Sequence, residues 1–194
     1  KDVLTDGIRG LDLGTGVANL SSSVQISFAI GNINLASLTD NFPDIIITQI
    51  ADPSAQDVFS FTDAAGSTVG SAYTTAFSAS PTIARYRLDL FSLQLNTPYN
   101  TATTFANGSA GTNQYRDIRI IALKFSDFGI TASNYQNIAN FKMSAKGDSD
   151  PAFIAYNAQS FTPRAVWEGD VSIVWNVKEN WLNEVVPNEN IDAL

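Results

Sequence analysis

"VQISFAIGNINL", residues 24–35, places Val24, Ile26, Phe28 and Ile30 on one side of an extended chain and Gln25, Ser27 and Ala29 on the other. Successive side chains of a strand point to opposite faces, so this alternation predicts a strand with one buried and one wet face. The segments around it repeat the theme. "FPDIIITQIADPS" sets Ile45, Ile46 and Ile47 in a row between Pro43 and Asp52-Pro53, which predicts a strand covered on both faces. "VFSFTDAAGSTVGSAYTTAF" reads as two strands about a turn at Asp63-Ala64-Ala65-Gly66, where Gly66 can take positive φ.

Further along, "ARYRLDLFSLQL" turns Tyr86, Leu88 and Leu90 inward and Arg85, Arg87 and Asp89 outward. A change of phase at Phe91-Ser92 suggests a bulge. After a long polar loop, "RDIRIIALKF" carries Asp117 and Arg119 on one face. If these two strands are neighbours, their charges form a cross-strand ladder, or else a groove for an acidic sugar; the ladder is the simpler reading. "SDFGITASNYQNIANF" is the best helical candidate: Ser133 would cap a short helix near residues 131–139, with Tyr135, Ile138 and Ala139 inward. Strands resume around the tight loop Gly147-Asp148-Ser149-Asp150. Last, "RAVWEGDVSIVWNV" alternates Val171, Ile173, Trp175 and Val177 after a turn at Glu168-Gly169-Asp170, as a final strand would. Nine or ten strands at this spacing predict an all-β fold, an antiparallel β-sandwich of jelly-roll type with one short helix.

Composition narrows the function classes. With 194 residues the chain can bury a substantial core as one domain plus an extension. Only 15% of residues are charged, and Ser, Thr, Asn and Ala are plentiful, which suits an extracellular all-β protein with neutral polar faces. Cys and His are both absent, which removes Cys/His zinc sites and His-based acid–base chemistry and leaves the redox compartment undetermined. No apolar run is long enough for a spanning helix, and no secretory signal is visible, so an exported protein would be represented by a mature or excised portion. The net charge of −8 is unevenly spread. Residues 85–164 carry eight bases against five acids, while residues 165–194 carry Lys178 alone against six acids. No basic patch of the kind that binds nucleic acid or anionic membrane stands out.

Three motifs invite chemistry. "GLDLGTGVANL", residues 10–20, has the D-x-G-T-G spacing of the phosphate loop of sugar kinases and actin-like ATPases. That loop follows a buried strand, whereas "KDVLTDGIRG" is none, and two α/β domains cannot be built from this chain. Asp12 and Gly14-Thr15-Gly16 therefore read as a Gly-rich turn into the first strand. In "GDSDPAF", Asp148 and Asp150 flank a turn and could offer oxygens to Ca²⁺, with Asp12, Asp40 or Asp44 arriving from elsewhere; the alternative is a solvated turn. A glycosidase would need two carboxylates about 5–10 Å apart across a cleft. Most acids here sit at turns, where Asp serves local hydrogen bonds, and no nucleophile–base set is recognisable, so the chain reads as no enzyme.

The final thirty residues hold Trp167, Trp175 and Trp181 and end in the acidic "ENWLNEVVPNENIDAL". Residues 1–164 thus read as the sandwich module and 165–194 as a C-terminal strand or extension. It is either the sheet's own last strand with a frayed linker, or a surface that docks on a neighbouring module or subunit through its tryptophans.

Taken together, "GLDLGTGVANL", "PDIIITQIADPS", "RYRLDLF", "DIRIIALKFSDFGITASNY" and "NFKMSAKGDSDPAFIAYN" resemble a domain repeated in large secreted surface proteins of flavobacteria and their relatives. The resemblance covers residues 8 to 161. It implies a non-catalytic extracellular β-sandwich at the bacterial cell surface, in adhesin-like or gliding-associated proteins, engaging a glycan or a protein. It supplies no catalytic residues. Two other classes stay open: a filament subunit that polymerises through a C-terminal strand, and a polysaccharide-active enzyme on a jelly roll.

Overall fold

The structure, a computed structural model, describes residues 15–17, 19–50, 54, 56–92, 103–104, 114–147, 149–162, 167, 169, 171–181 and 186–187. Its strands are β1 (Thr15–Val17), β2 (Gln25–Ala29), β3 (Asn32–Ile33), β4 (Ile45–Gln49), β5 (Val58–Thr62), β6 (Thr68–Thr74), β7 (Ala84–Ser92) and β8 (Thr103–Thr104). They continue as β9 (Gln114–Leu123), β10 (Asn140–Ser144), β11 (Pro151–Tyr156) and β12 (Phe161–Thr162). The larger sheet runs β1-β7-β9-β4-β11 with β8 on β7, the smaller runs β2-β10-β5-β6, and β12 pairs β3. The expected all-β architecture of two sheets is what the chain adopts.

The alternation of residues 24–30 is realised strand by strand. Phe28 lies opposite Phe141, Phe141 opposite Phe61, and Phe61 opposite Val69, so one row of apolar side chains crosses all four strands of the smaller sheet. A second row runs Ile26, Met143, Phe59, Tyr73. Ile45, Ile47, Leu123 and Ile154 of the larger sheet belong to the same core cluster. Gln25, Ser27 and Ala29 face solvent. Each large apolar side chain so buried stabilises the fold by about 1.5–3 kcal/mol, which is why the pattern decides the register. The Ile45–Ile47 run is covered on both faces, and Thr48 and Gln49 beyond it are buried as well.

Turns and bulges follow the local chemistry. The β5–β6 hairpin turns where Asp63 Oδ1 accepts the amides of Ala65 and Ser67, with Gly66 at φ 86°. Between Phe59 and Phe61 the β5–β6 register shifts, and Gly70 sits in that irregularity at φ 74°. A side chain there would collide with the Phe128 carbonyl oxygen, so glycine is what lets the 3₁₀ turn Phe125–Phe128 lie on β6.

Several expectations are corrected. Among the described strands every pairing is antiparallel except β1 with β7, which is parallel. Gly16 lies within β1 itself rather than in a turn before it, and a side chain at that position would meet Ile50. Asp12 and Gly14 lie outside the described residues. The helix expected near residues 131–139 is no α-helix. Asn134, not Ser133, precedes a single 3₁₀ turn at Tyr135–Asn137, because the Asn134 side chain is tied backward, accepting from the Thr131 amide and donating to the Gly129 carbonyl. Tyr135 packs against the core and Ile138 is buried, as the spacing predicted. The side chains of Tyr86, Arg87, Leu88, Asp89 and Leu90 lie outside the described residues, as does the phase change at Phe91-Ser92.

The final strand expected at residues 171–177 does not form. Asn180 Oδ1 accepts the amides of both Val171 and Ser172, at 3.0 and 2.8 Å, and so curls the backbone away from an extended course.

Candidate functional site

Around the turn expected to offer oxygens to Ca²⁺, the described side chains make internal hydrogen bonds. Ser149 pairs with Leu20 through two backbone hydrogen bonds and donates its hydroxyl to Asp57. Asp150 is buried, and its Oδ1 accepts the Asn19 amide at 2.8 Å. Asp44 and Asp40, two of the acids expected to join it, are engaged elsewhere. Asp44 takes the Phe125 amide on Oδ2 and the Ser160 hydroxyl on Oδ1, at 2.7 and 2.6 Å. Asp40 takes the Phe42 amide and pairs with Lys124 at 3.1 Å. Among the described residues no group of three or more acids is placed so that it could hold an ion together. Asp148 and Asp12 lie outside the described residues.

Two carboxylates are instead internal staples. Asp57 is buried just before β5, where its Oδ1 receives the Lys146 amide and the Ser149 hydroxyl and its carbonyl receives Thr75. Burial pushes its carboxyl above the usual range, and the Ser149 and Lys146 hydrogen bonds oppose that only in part. Asp44 is raised for the same first reason, against the hydrogen bonds from Ser160 and Phe125. Asp40, at the surface, is held low, first by the Phe42 amide and then by Lys124. Lys124 Nζ also donates to the carbonyls of Asp40 and Phe42, so one ammonium ties down the loop before β4.

β7 and β9 are neighbours, and one pair of the expected charge ladder forms between them. Arg85 is opposite Asp117 and bonds to it at 3.0 Å. With Arg85 well exposed, the pair contributes at most about 1 kcal/mol. Arg119 falls beside Gln49 of β4 instead.

The C-terminal tryptophans meet one another. Trp167 bridges Trp181 across the base of the segment. Trp167 and Trp175 stack at 5.9 Å with planes 15° apart, and Trp181 turns its edge to both, at 5.0 and 4.6 Å. Trp181 is 1% exposed and donates its indole N–H to the Trp175 carbonyl at 2.7 Å. Asn180 is fully buried beside it. Besides accepting two amides, its Nδ2 donates to the Ser172 hydroxyl and the Val174 carbonyl, both at 2.9 Å. Its own carbonyl accepts the Gly169 amide. Every hydrogen-bonding atom of that carboxamide is thereby used, and the frame is fixed.

What the frame holds outward is apolar. Val171 is 64% exposed, Ile173 97%, Val174 48% and Trp175 56%. Of the three tryptophans expected to meet a partner, Trp175 is exposed and Trp181 is buried within the segment, and the exposed apolar group is Val171, Ile173, Val174 and Trp175. Asn180 carried no sequence signal beyond a polar residue next to a tryptophan.

Surface cavities are lined by described residues of the sandwich. One of about 480 Å³ is lined by Ser54, Gln56, Val58, Thr74, Lys146 and Gly147. Another, of about 320 Å³, is lined by Asn32, Ile33, Tyr135, Gln136 and Ile138. No helix among the described residues is long and apolar enough to cross a membrane. Comparison with protein-family models, with curated proteins and with solved structures gives no match to this chain.

Proposed function

We infer that this chain is a non-catalytic module of an extracellular, adhesin-like bacterial surface protein, and that it works by contact. The observation that carries this reading is the C-terminal frame. A buried asparagine and three packed tryptophans hold an apolar group in solvent, which costs free energy unless something covers it. Preorganised aromatic and aliphatic anchors of this kind suit binding, because the ordering cost is met before the partner arrives. The neutral polar surface and the family resemblance of residues 8 to 161 point to the cell exterior, where a glycan or a protein would be the partner.

The filament reading gains one specific support and loses another. An exposed apolar apex is a fit contact for a neighbouring subunit or module, but residues 171–177 offer no preformed strand to a sheet edge. The test is direct binding. The labelled chain is expected to bind intact bacterial cells or a panel of polysaccharides saturably, without releasing new reducing ends. Release of reducing ends would replace the module reading with a polysaccharide-active enzyme, and absence of any binding, to cells, glycans or itself, would end it.

A further inference from the structure

Two hydrogen-bond donors of the larger sheet are buried without an acceptor. Among the described residues, Gln49 Nε2 and Arg119 Nε are shielded from solvent and make no hydrogen bond. They are neighbours: Gln49 of β4 lies opposite Arg119 of β9, so the two side chains leave the same face of the sheet. Gln49 is 1% exposed. Its Oε1 accepts the Ile50 amide at 3.3 Å, a longer bond than that amide makes to the Asp150 carbonyl, at 3.0 Å. Arg119 forms no ion pair with a described residue; Asp117, two places along the same strand, pairs with Arg85. Buried donors left unmade cost free energy, and two side by side call for one shared acceptor. Alternation puts Leu123, Ile121, Arg119, Asp117 and Tyr115 on that face of β9. Leu123 and Ile121 belong to the core, Arg119 is half-buried, and Tyr115 stands in solvent. Arg119 therefore sits where the face leaves the core, its Nε inside and the end of its guanidinium in water.

We propose that Gln49 and Arg119 bind the carboxylate of an acidic saccharide chain that lies along β9. An ionised carboxylate is planar and only accepts. It matches the side of a guanidinium that presents Nε–H and one Nη–H in parallel, and it leaves a lone pair for Gln49 Nε2. The strip from Arg119 to Tyr115 is about 13 Å long, which suits a chain of sugars rather than one. Midway along it, Arg85 and Asp117 can exchange hydrogen bonds with hydroxyls, and the Tyr115 ring offers an apolar face to sugar C–H groups. An acidic peptide fits less well, because Asp117 would repel its next carboxylate. The net charge of −8 gives a polyanion no general attraction to this chain, so selectivity falls to the Gln49–Arg119 pair. This rests on the reading of the chain as a contact module, and it names a ligand class and residues outside the C-terminal frame.

The experiment is titration of the full chain with short oligosaccharides of hyaluronan and of polygalacturonate, each beside its neutral, carboxyl-reduced form. Calorimetry reads the affinity, and proton–nitrogen NMR reads the Arg119 Nε–H and Gln49 Nε2–H resonances. At least one acidic ligand is expected to bind saturably, to move both resonances, and to bind at least ~10-fold more tightly than its neutral form. Arg119→Lys keeps the charge but loses the fork, and Gln49→Met keeps the bulk but loses the donor. Each is expected to weaken binding by at least ~10-fold. Gln49→Met also removes a buried unpaired donor, so it should melt no lower than the parent, which separates lost binding from lost folding. Lys146→Gln, on the larger cavity, controls for unspecific attraction and is expected to bind as the parent does. Resonances that do not move, equal binding of the neutral forms, Arg119 and Gln49 variants that bind like the parent, or a Lys146 variant weakened as much as they are overturns the proposal. If the acidic ligands fail while the chain still binds cells, neutral polysaccharide or itself, this site alone has failed; if it binds nothing, the contact-module reading has failed with it.

Discussion

Two parts of this chain close on clustered aromatic rings and use them to opposite ends. In the sandwich, Phe61 stands at the centre of Phe125, Phe128 and Phe141, with centroids 5.0 to 5.5 Å away, and all four are at most 2% exposed. In residues 167–181 three tryptophans pack as closely, yet the aliphatic side chains beside them stand in water. The first cluster is an end in itself, since burying it drives folding. The second is a frame. Burial alone therefore does not tell a core from a support; what the neighbouring apolar residues do tells them apart.

The largest expected effect separates the two clusters. Phe61→Ala should cost about 3–5 kcal/mol and lower the urea midpoint of the whole chain, because a large side chain is lost where nothing can collapse into the space. Trp181→Ala, or deletion of residues 165–194, should abolish the near-ultraviolet signal of the stacked indoles. The sandwich transition should stay cooperative and within about 0.5 kcal/mol of the parent. If the deletion prevents folding, the frame is part of the core after all, and the comparison fails.

Next in size is the β6 irregularity. Gly70→Ala combines positive φ with a collision against the Phe128 backbone, and the strain alone costs about 1–3 kcal/mol. Gly66→Ala has positive φ but nothing within 4 Å, so its cost should be smaller. Equal urea midpoints for the two variants would mean that the turn at Phe125–Phe128 yields freely.

A smaller effect concerns Asp57, the sandwich's counterpart of Asn180. Its folded pKa is raised, so its contribution to stability is present in full at acid pH and is lost as pH rises through that pKa. Asp57→Asn can keep both donors, because the Lys146 amide and the Ser149 hydroxyl share Oδ1. The variant should match the parent at acid pH and melt higher at neutral pH, with a flatter profile of melting temperature against pH. A variant less stable at every pH would show that the negative charge itself is needed.

The smallest is calcium. With Asp150 Oδ1 occupied by the Asn19 amide, chelator is expected to leave the melting temperature almost unchanged. A calcium-dependent rise that Asp148→Ala removes would show that Asp148 completes a site.

Much of the fold was legible because strands announce themselves by period. The alternation at residues 24–30, the Ile45–Ile47 run and the Asp63–Gly66 turn each carry their structure locally. The failures have a shared cause. Val171, Ile173 and Trp175 alternate as a strand does, but alternation cannot say whether a partner strand exists, and Asn180 takes the amides a partner would need. Ser133, Tyr135 and Ile138 are spaced for a helix, but the Asn134 side chain competes for the backbone first. Strand order depends on pairings between distant segments, which no local pattern encodes. Within the candidate site, the tryptophans could be counted but not sorted into buried and displayed.

The smaller sheet has a consequence for the order in which the chain acquires its shape. Among the described strands β2 pairs with β10 alone, with Phe28 against Phe141, more than half the chain apart. β1 likewise waits for Leu90 to lie opposite Gly16. While a ribosome is still delivering the middle of the protein, β1 and β2 have yet to meet the partners described for them, β7 and β10. Closing such long loops slows folding, so the half-made chain has a window in which it is open to chaperones and proteases. The hairpin of β5 and β6 is a local exception, able to form as soon as Thr74 has emerged.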